Sequence, residues 1–426
     1  MAKNKKRKGA KVRKQPTIKE NWHINKNYRE QFLCTARKYM QLIGLEADIF
    51  DKLPKRMREN AMMIKSLPPK IYASKEHNIP KIYLRIFNQI LLEYMQNRNY
   101  GDPSFGIKYM EHMTYGQSLI GGLRYVSEES DLYSAESMEI VTTINEAMKA
   151  YEYAEENDVH HYAIELPRFL SRTLMIFSKI NYRYYTCDFF WKDSVTAGAM
   201  QSYFKFSSIE AERKQIVIDR QTRPAFRLGV YILNPTPTWV EIPLELISTS
   251  LKGQGTLPVF IQKHALIRIR ERLSPQSNMY INCTFMATFF PLKNTIEIIK
   301  AVNGQPLICA YDLLRNRVGY FPFIQQDGCI ILTSFLPLSS PITPEGSILM
   351  KRLKISIDES ALLKMDKLIF YLQTDFDKLP SLRDAIQKAG MWHLTKIKIL
   401  APELPEVLAK GGSTTMLAKI FEQKDE

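Results

Sequence analysis

The sequence predicts a multidomain α+β protein with a helical N-terminal domain, a small central antiparallel β region, a domain that packs a helix on an antiparallel sheet, and a helical C-terminus. Three observations predict this class. The chain has 426 residues, 45% of them hydrophobic, which is enough for several globular domains. Apolar residues recur at helical spacing up to about residue 163 and again beyond residue 353. Between these limits, short aromatic and β-branched runs alternate with turn residues.

The chain begins with a strongly basic segment that contains no acidic residue. Its cations are Lys3, Lys5, Lys6, Arg7, Lys8, Lys11, Arg13 and Lys14. These eight charges are part of a formal net charge of +15, and the rest of the chain carries +7. Because like charges repel and form no core, we expect residues 1–16 to be a disordered arm. Such an arm favours contact with RNA, DNA or ribosomal phosphates, and a merely solubilising terminus is the alternative.

Residues 17–165 form the predicted helical domain. Apolar side chains three and four positions apart predict helices over residues 28–45 and 79–96. A third helix is predicted over residues 135–156, and prolines at positions 54, 68, 69, 80 and 103 interrupt the pattern.

Residues 166–250 form the predicted β-rich domain. Short aromatic and β-branched runs predict strands over residues 182–190, 200–206 and 215–219, followed by a hairpin between 227–233 and 239–242. Residues 248–255, of sequence Ser-Thr-Ser-Leu-Lys-Gly-Gln-Gly, resemble an internal linker.

A third domain is predicted over residues 257–353, in the order helix, strands, helix. The predicted strands cover residues 279–290, 295–302, 306–312, 318–324 and 329–336. The pairs Asn303-Gly304 and Asp327-Gly328 are typical of hairpin turns. Thr343, followed by a proline and a glutamate, predicts the start of a helix, and residues 354–426 form the predicted helical C-terminal region.

Three arginines near the centre of the chain form a candidate nucleic-acid contact. Arg220, Arg223 and Arg227 lie close to Phe226, and guanidinium groups beside an aromatic ring suit phosphate contact and base stacking. A structural loop whose arginines bind the loop's own carbonyl groups is the alternative.

The first helix of the 257–353 region carries the clearest chemical pattern. Three apolar residues, Leu266, Ile269 and Leu273, fall on one stripe of this helix. The other side carries His264, Arg268, Glu271 and Arg272. An imidazole beside guanidinium groups and a carboxylate suits metal-independent RNA cleavage, which needs a base, an acid and a cation for the phosphorane. A solvated surface helix is the alternative.

The string His264-Ala-Leu-x-Arg268-x-x-Glu271-Arg272, followed by strands, resembles the start of small domains in the RelE-like and colicin-like ribonuclease superfamily. The resemblance covers at most residues 257–353. It implies a helix packed on a curved antiparallel sheet, with the active site between them and with His264 and Arg268 as its helical members. Sheet residues would complete the site, and we nominate Tyr320 and Thr333, with Ser334, Arg315 and Arg317 as further candidates.

These patterns together predict an RNA-directed protein, in one version a toxin-like, metal-independent endoribonuclease. His264 would act as the acid or base in attack by the 2′-hydroxyl, Arg268 and Arg272 would stabilise the phosphoryl charge, and Glu271 would orient His264 or an arginine. No metal or cofactor is expected. RNA or the ribosome is the expected partner, and a toxin would also have a protein inhibitor. The alternative is a non-catalytic nucleic-acid-binding or scaffold protein of a mobile element or phage.

The composition also excludes several classes of protein. Five scattered cysteines without a Cys-x-x-Cys pair argue against a disulfide scaffold and a cysteine zinc module. No apolar segment follows the basic start, and the longest charge-free stretch contains prolines and asparagines. We therefore expect a cytoplasmic protein without a membrane span. Nucleotide-binding and serine-hydrolase motifs are absent from the sequence.

Overall fold

The structure is a computed structural model. It describes the segments 26–75, 79–128, 130–157, 162–178, 183–194, 199–218, 220–232, 234–247, 255–274, 278–291 and 296–397. The predicted basic arm and most of the predicted linker lie outside these residues. The fold is mixed α+β, as predicted. Within the described residues, no helix combines the length and apolar character that crossing a bilayer requires.

Helices dominate the N-terminal and C-terminal parts of the chain. The N-terminal helices are α1 (Lys26–Leu42), α2 (Lys55–Ala61), α3 (Lys81–Asn97), α4 (Tyr109–Glu111), α5 (Gln117–Glu128), α6 (Ala135–Asn157) and α7 (Tyr162–Phe177). The later helices are α8 (Lys263–Leu273), α9 (Asn278–Phe289), α10 (Pro344–Leu353), α11 (Ile357–Leu362), α12 (Leu368–Gln373) and α13 (Pro380–Lys388). The predicted helices in the N-terminal part are confirmed as α1, α3 and α6, and Thr343 caps α10 as expected.

The strands form a small sheet and a large one. The strands are β1 (Lys65–Ala73), β2 (Arg183–Ser194), β3 (Ala199–Glu210), β4 (Arg213–Ile218), β5 (Gln221–Arg227), β6 (Gly229–Val230), β7 (Thr238–Trp239), β8 (Glu241–Pro243), β9 (Thr256–Gln262), β10 (Ile298–Lys300), β11 (Pro306–Tyr311), β12 (Arg317–Gln326) and β13 (Cys329–Leu332). The small sheet has the order β1-β3-β2. The large sheet has the order β10-β11-β12-β13-β9-β5-β4, with β8 also paired to β9, and β6 and β7 form a separate hairpin.

Apolar packing divides the N-terminal helices between two cores. The helices α1, α2, α5 and α6 surround one core, whose largest members include Phe32, Phe50 and Met57. The helices α3 and α7 instead contribute to a second core, which continues through both sheets to the C-terminal helices. The range predicted to be helical, 17–165, therefore supplies side chains to two cores.

Strand pairing crosses the predicted boundaries. The strand β1 lies in the range predicted to be helical, yet it pairs in parallel with β3. Similarly, β5 of the predicted 166–250 domain pairs with β9 of the predicted 257–353 domain. Because β8 and β9 are also paired, the predicted linker joins two neighbouring strands of one sheet. How the chain divides into domains stays a prediction.

Three features of the 257–353 region differ from the sequence prediction. The region was predicted to begin with a helix, but it begins with strand β9, and helix α8 follows only at Lys263. Residues 279–290 were predicted to form a strand, and the prediction is wrong because they form most of helix α9. Nine side chains of this helix are buried, so its apolar residues show neither a helical nor a strand period. The sheet is also not purely antiparallel, since β9 and β13 pair in parallel. The intervening α8, α9 and β10–β12 provide the long crossover that parallel pairing requires.

A π-helical turn between α4 and α5 holds a fully buried histidine. His112 begins this turn, and its Nδ1 shares a hydrogen bond with the hydroxyl of Tyr39. The ring of Tyr100 stacks on the imidazole with centroids 3.7 Å apart. Gly116 ends the turn against the Tyr39 ring, where a β-carbon would overlap the ring atoms. Burial lowers the pKa of His112 to about 3, so the imidazole is neutral in the folded protein.

We expect the stability of the protein to fall as the pH drops below the ordinary histidine value of 6.5. In the unfolded chain His112 is protonated below about pH 6.5, whereas in the folded chain it is protonated only below about pH 3. Between pH 6 and pH 4 this difference lowers the free energy of unfolding by about 2–3 kcal/mol. Urea unfolding of the wild type and of His112→Gln at pH 6 and pH 4 measures this change in the free energy of unfolding. His112→Gln has no imidazole to protonate, so it should not lose these about 2–3 kcal/mol. An equal loss of stability in both proteins would contradict the conclusion that His112 is neutral in the folded protein.

Candidate nucleic-acid interface

Helix α8 begins directly after strand β9, with Gln262 as its N-cap. Its buried side chains are Ala265, Leu266, Ile269 and Leu273, which confirms the predicted apolar stripe. Since these residues face the core, the opposite side of α8 faces solvent. His264, Lys263 and Glu271 are exposed there, and Arg268 is half-exposed. The sequence therefore identified the solvent-facing side of this helix correctly.

His264 lies among cations from two different elements. On its own helix, Arg268 Nη1 donates to Glu271 Oε2 at 2.9 Å. On strand β5, Arg223 is close enough to act on the imidazole electrostatically. The pKa of His264 is lowered by partial burial first, then by Arg268 and Arg223, while Glu271 opposes these effects. The neutral imidazole is thus favoured at neutral pH.

The β4–β5 hairpin adds further positive charge beside α8. Arg223 is half-exposed, and its Nη2 donates to Gln221 Oε1 at 2.7 Å. Arg220 is exposed in the hairpin turn, where it has a left-handed φ of 63°. We call Arg223, Lys263, His264 and Arg268 the basic surface. Among the described residues, Glu271 is the carboxylate that is ion-paired to the basic surface.

Two of the predicted arginines are neutralised by carboxylates of the protein. Arg227 is bonded to Glu241 at 3.0 Å and lies 3.7 Å from Glu212. Arg272 forms an ion pair with Asp366 in the segment before α12, and the pair lies in the wall of a small crevice. Burial and the charge of Arg268 lower the pKa of Arg272. The guanidinium groups of these two residues therefore serve contacts within the fold.

The nominated sheet residues bond to groups other than those of α8. Tyr320 is fully buried, and its hydroxyl donates to Glu345 and accepts from Arg317. Thr333 is half-buried and donates to the carbonyl oxygen of Pro322 at 3.1 Å. Neighbouring Ser334 is also half-buried. The structure therefore brings His264, Arg268, Glu271 and Arg223 together, whereas Tyr320 belongs to a second polar cluster.

This second cluster consists of two carboxylates joined by one guanidinium group. Arg317 contacts Glu297 at 3.0 Å and Glu345 at 3.2 Å, and it also donates to the Tyr311 hydroxyl. The hydroxyl of Tyr311 bonds to Glu297 as well. Arg315 lies over the Tyr311 ring at 4.1 Å and donates to the carbonyl oxygen of Ala287. Because these charges satisfy one another, the cluster fixes β11, β12 and α10 in place.

Two features of these sites were not predicted from the sequence. Lys263 was not identified, although its position next to His264 at the helix start was a usable signal. Glu297 and Glu345 were also missed, because they meet Arg317 only after the sheet has formed. In the described part of the chain, no group of three or more His, Cys, Asp or Glu side chains is arranged to hold a metal ion. The predicted contacts of residues 3–14 lie outside the described residues.

No protein-family model matches the chain, and neither a curated protein nor a solved structure matches it. The resemblance of residues 257–353 to RelE-like ribonucleases therefore stays a prediction.

Proposed function

We propose that the protein binds RNA through the basic surface on β5 and α8. One observation carries this proposal, namely that Arg268 and Arg223 approach His264 from two different elements, so that after partial burial, the largest cause, both lower the pKa of its imidazole. Arg268 is ion-paired to Glu271, whereas Arg223 has no ion pair among the described residues, so the two guanidinium groups carry more positive charge than the one carboxylate balances. A bound anion balances that excess of positive charge, so the cluster favours an anionic ligand.

Phosphate is the anion that best fits these side chains. Guanidinium groups present a planar fork of donors that matches phosphate oxygens, and Lys263 adds a mobile ammonium group at the helix start. The excess of positive charge over the whole chain, +15, favours a polyanion over a single small phosphate. RNA provides repeated phosphates that can contact both the hairpin and the helix.

Cleavage of the bound RNA is the second candidate function, and the lowered pKa of His264 favours it. A neutral imidazole can accept the proton of a 2′-hydroxyl at neutral pH. The 2′-oxygen then attacks phosphorus, the bond from phosphorus to the 5′-oxygen breaks, and the imidazolium returns its proton to the leaving 5′-oxygen, which leaves a 2′,3′-cyclic phosphate and a neutral imidazole. Arg223 and Arg268 would stabilise the phosphorane, and Glu271 would orient Arg268.

Replacing Arg223 and Arg268 by alanine tests the binding proposal. Each lost phosphate contact should reduce the slope of log affinity against log salt by about 0.7 for a single strand. The double variant Arg223→Ala/Arg268→Ala should therefore bind more weakly at low salt and lower the slope by about 1.4, which is about a sevenfold smaller loss of affinity between 50 and 200 mM salt. Fluorescence anisotropy with a labelled 12-nucleotide oligouridine measures both quantities.

The matched control is the double variant Arg352→Ala/Arg383→Ala, which removes the same charge from two exposed positions on α10 and α13. This control should retain the affinity and nearly all of the salt slope of the wild type. If both double variants weaken binding equally, net charge alone accounts for the affinity and the basic surface is not the binding site.

A further inference from the structure

The small sheet carries three aromatic rings on the face that points away from the core. Phe190 on β2 and Tyr203 on β3 are direct cross-strand partners, with centroids 5.6 Å apart and ring planes inclined by 13°. Tyr72 on β1 meets both rings edge-on, at 6.0 Å from Tyr203 and 6.4 Å from Phe190. We call these three residues the ring triad. They form one continuous aromatic surface across all three strands.

The ring triad does not belong to either hydrophobic core. The opposite face of the same sheet is buried, and there Phe206 stacks on Phe87 of α3 at 4.6 Å. In contrast, Tyr72 is 37% exposed and Phe190 is 36% exposed, and Tyr203 is half-exposed. A contiguous exposed aromatic surface marks an interaction site more often than a single exposed ring does.

Two lysines on the same face indicate the chemistry of the partner. Lys70 on β1 pairs with Tyr203 on β3, and Lys205 on β3 pairs with Tyr72 on β1. Asp188 lies across from Lys205 on β2 and is exposed. Among the described residues, neither lysine has a carboxylate within ion-pair distance. Aromatic rings beside ammonium groups fit a ligand that combines flat apolar groups with anions.

We propose that the ring triad binds single-stranded RNA, whose bases stack on Tyr72, Tyr203 and Phe190 while Lys70 and Lys205 contact the adjacent phosphates. This inference rests on the proposed RNA binding and names the form of RNA that is bound. Bases have π faces that stack on aromatic side chains without a sequence requirement, and lysines beside the rings supply the electrostatic contribution.

Stacking on the ring triad requires a base whose face is uncovered. In a duplex every base is paired and covered by its neighbours, so its face cannot meet a protein ring. The centroids of the ring triad are 5.6–6.4 Å apart, and the bases of a single strand can stack there once they have separated from one another. An unpaired, extended strand meets that condition.

The test compares variants that keep the aromatic face with variants that keep only its apolar volume. The double variant Tyr72→Leu/Phe190→Leu removes two π faces, and Tyr72→Phe/Phe190→Tyr retains both. The probe is a 12-nucleotide oligouridine with one central 2-aminopurine, whose fluorescence falls when the base stacks on a ring. A fully paired RNA duplex of the same length is the second probe, and all measurements use the full-length protein.

We expect the leucine variant to bind the single strand at least tenfold more weakly and to lose most of the 2-aminopurine quenching. Tyr72→Phe/Phe190→Tyr should keep both the single-strand affinity and the quenching. Neither variant should change the affinity for the duplex more than twofold. A leucine variant that binds and quenches like the wild type overturns the inference and leaves the face to another partner, such as a protein. Equal unfolding midpoints for both variants show that the fold is retained.

The result also separates this inference from the proposed function. If the leucine variant keeps its single-strand affinity and Arg223→Ala/Arg268→Ala loses it, the ring triad is excluded and the basic surface stands. If the leucine variant loses affinity and the arginine variant does not, the ring triad stands and the basic surface is excluded.

Discussion

Between 50 and 200 mM salt, a chain that lacks residues 1–14 should lose about 10³-fold less RNA affinity than the wild type, because its salt dependence is much flatter. The removed segment carries eight cations and no acid. If each of them displaces a counterion from a single strand, the slope of log affinity against log salt falls by about 5–6. Titration of a labelled oligouridine between 50 and 200 mM salt measures this slope. This change in slope is larger than that expected for any single side chain of the folded part, because eight cations are removed at once.

A full-length variant with all eight cations replaced by glutamine controls for chain length, and we expect it to behave like the truncated chain. A second control keeps the composition of residues 1–14 and scrambles their order. It should bind like the wild type, since counterion release depends on charge and not on sequence. An unchanged slope in the truncated chain would mean that the folded part alone neutralises the phosphates.

Some elements that the sequence predicted correctly have one buried and one exposed face, although strands β11, β12 and β13 were also predicted and are largely buried. In α8 the stripe formed by Leu266, Ile269 and Leu273 was visible because the other side of the helix is polar. The capping residue Thr343 was recognisable because capping depends on four consecutive residues. Both signals are local, so no knowledge of the tertiary fold was needed to use them.

Helix α9 and strand β1 were missed for different reasons. Helix α9 is buried on nearly every side, and its aromatic and β-branched residues therefore resembled a strand. Strand β1 contains Pro68 and Pro69, which lack amide hydrogens and normally argue against a strand. The strand tolerates them at a shift in register between Leu67 and Lys70. The pairing with β3 was not visible because β3 lies far along the chain.

In the candidate site, too, the contacts between residues far apart in the sequence could not be predicted. Residue type predicted that Arg223, Arg227, Arg268 and Arg272 could all bind phosphate. The structure separates them by their partners, since Glu241 and Asp366 neutralise two of them, and those carboxylates come from other parts of the chain. The ring triad was likewise invisible, because its members belong to three strands that meet only in the folded sheet.

If the protein cleaves RNA, replacing His264 by alanine should lower the rate of cleavage by about 10²-fold or more. The substitution removes the only imidazole on the basic surface and leaves Arg223 and Arg268 to bind phosphate. RNA affinity should change much less than the rate, because the imidazole is largely neutral at pH 7. Cleavage of a labelled single-stranded RNA in EDTA measures the rate without any metal contribution.

The pH dependence of this cleavage identifies the role of the arginines. Arg223 and Arg268 lower the pKa of His264, so a neutral catalytic base persists below the ordinary histidine value of 6.5. Removing the positive charge with Arg223→Gln raises that pKa, and the acidic limb of the rate should move to higher pH. Arg352→Gln, on α10, should leave the limb in place. Equal cleavage by the wild type and His264→Ala, or none by either, would support a protein that binds RNA without cleaving it.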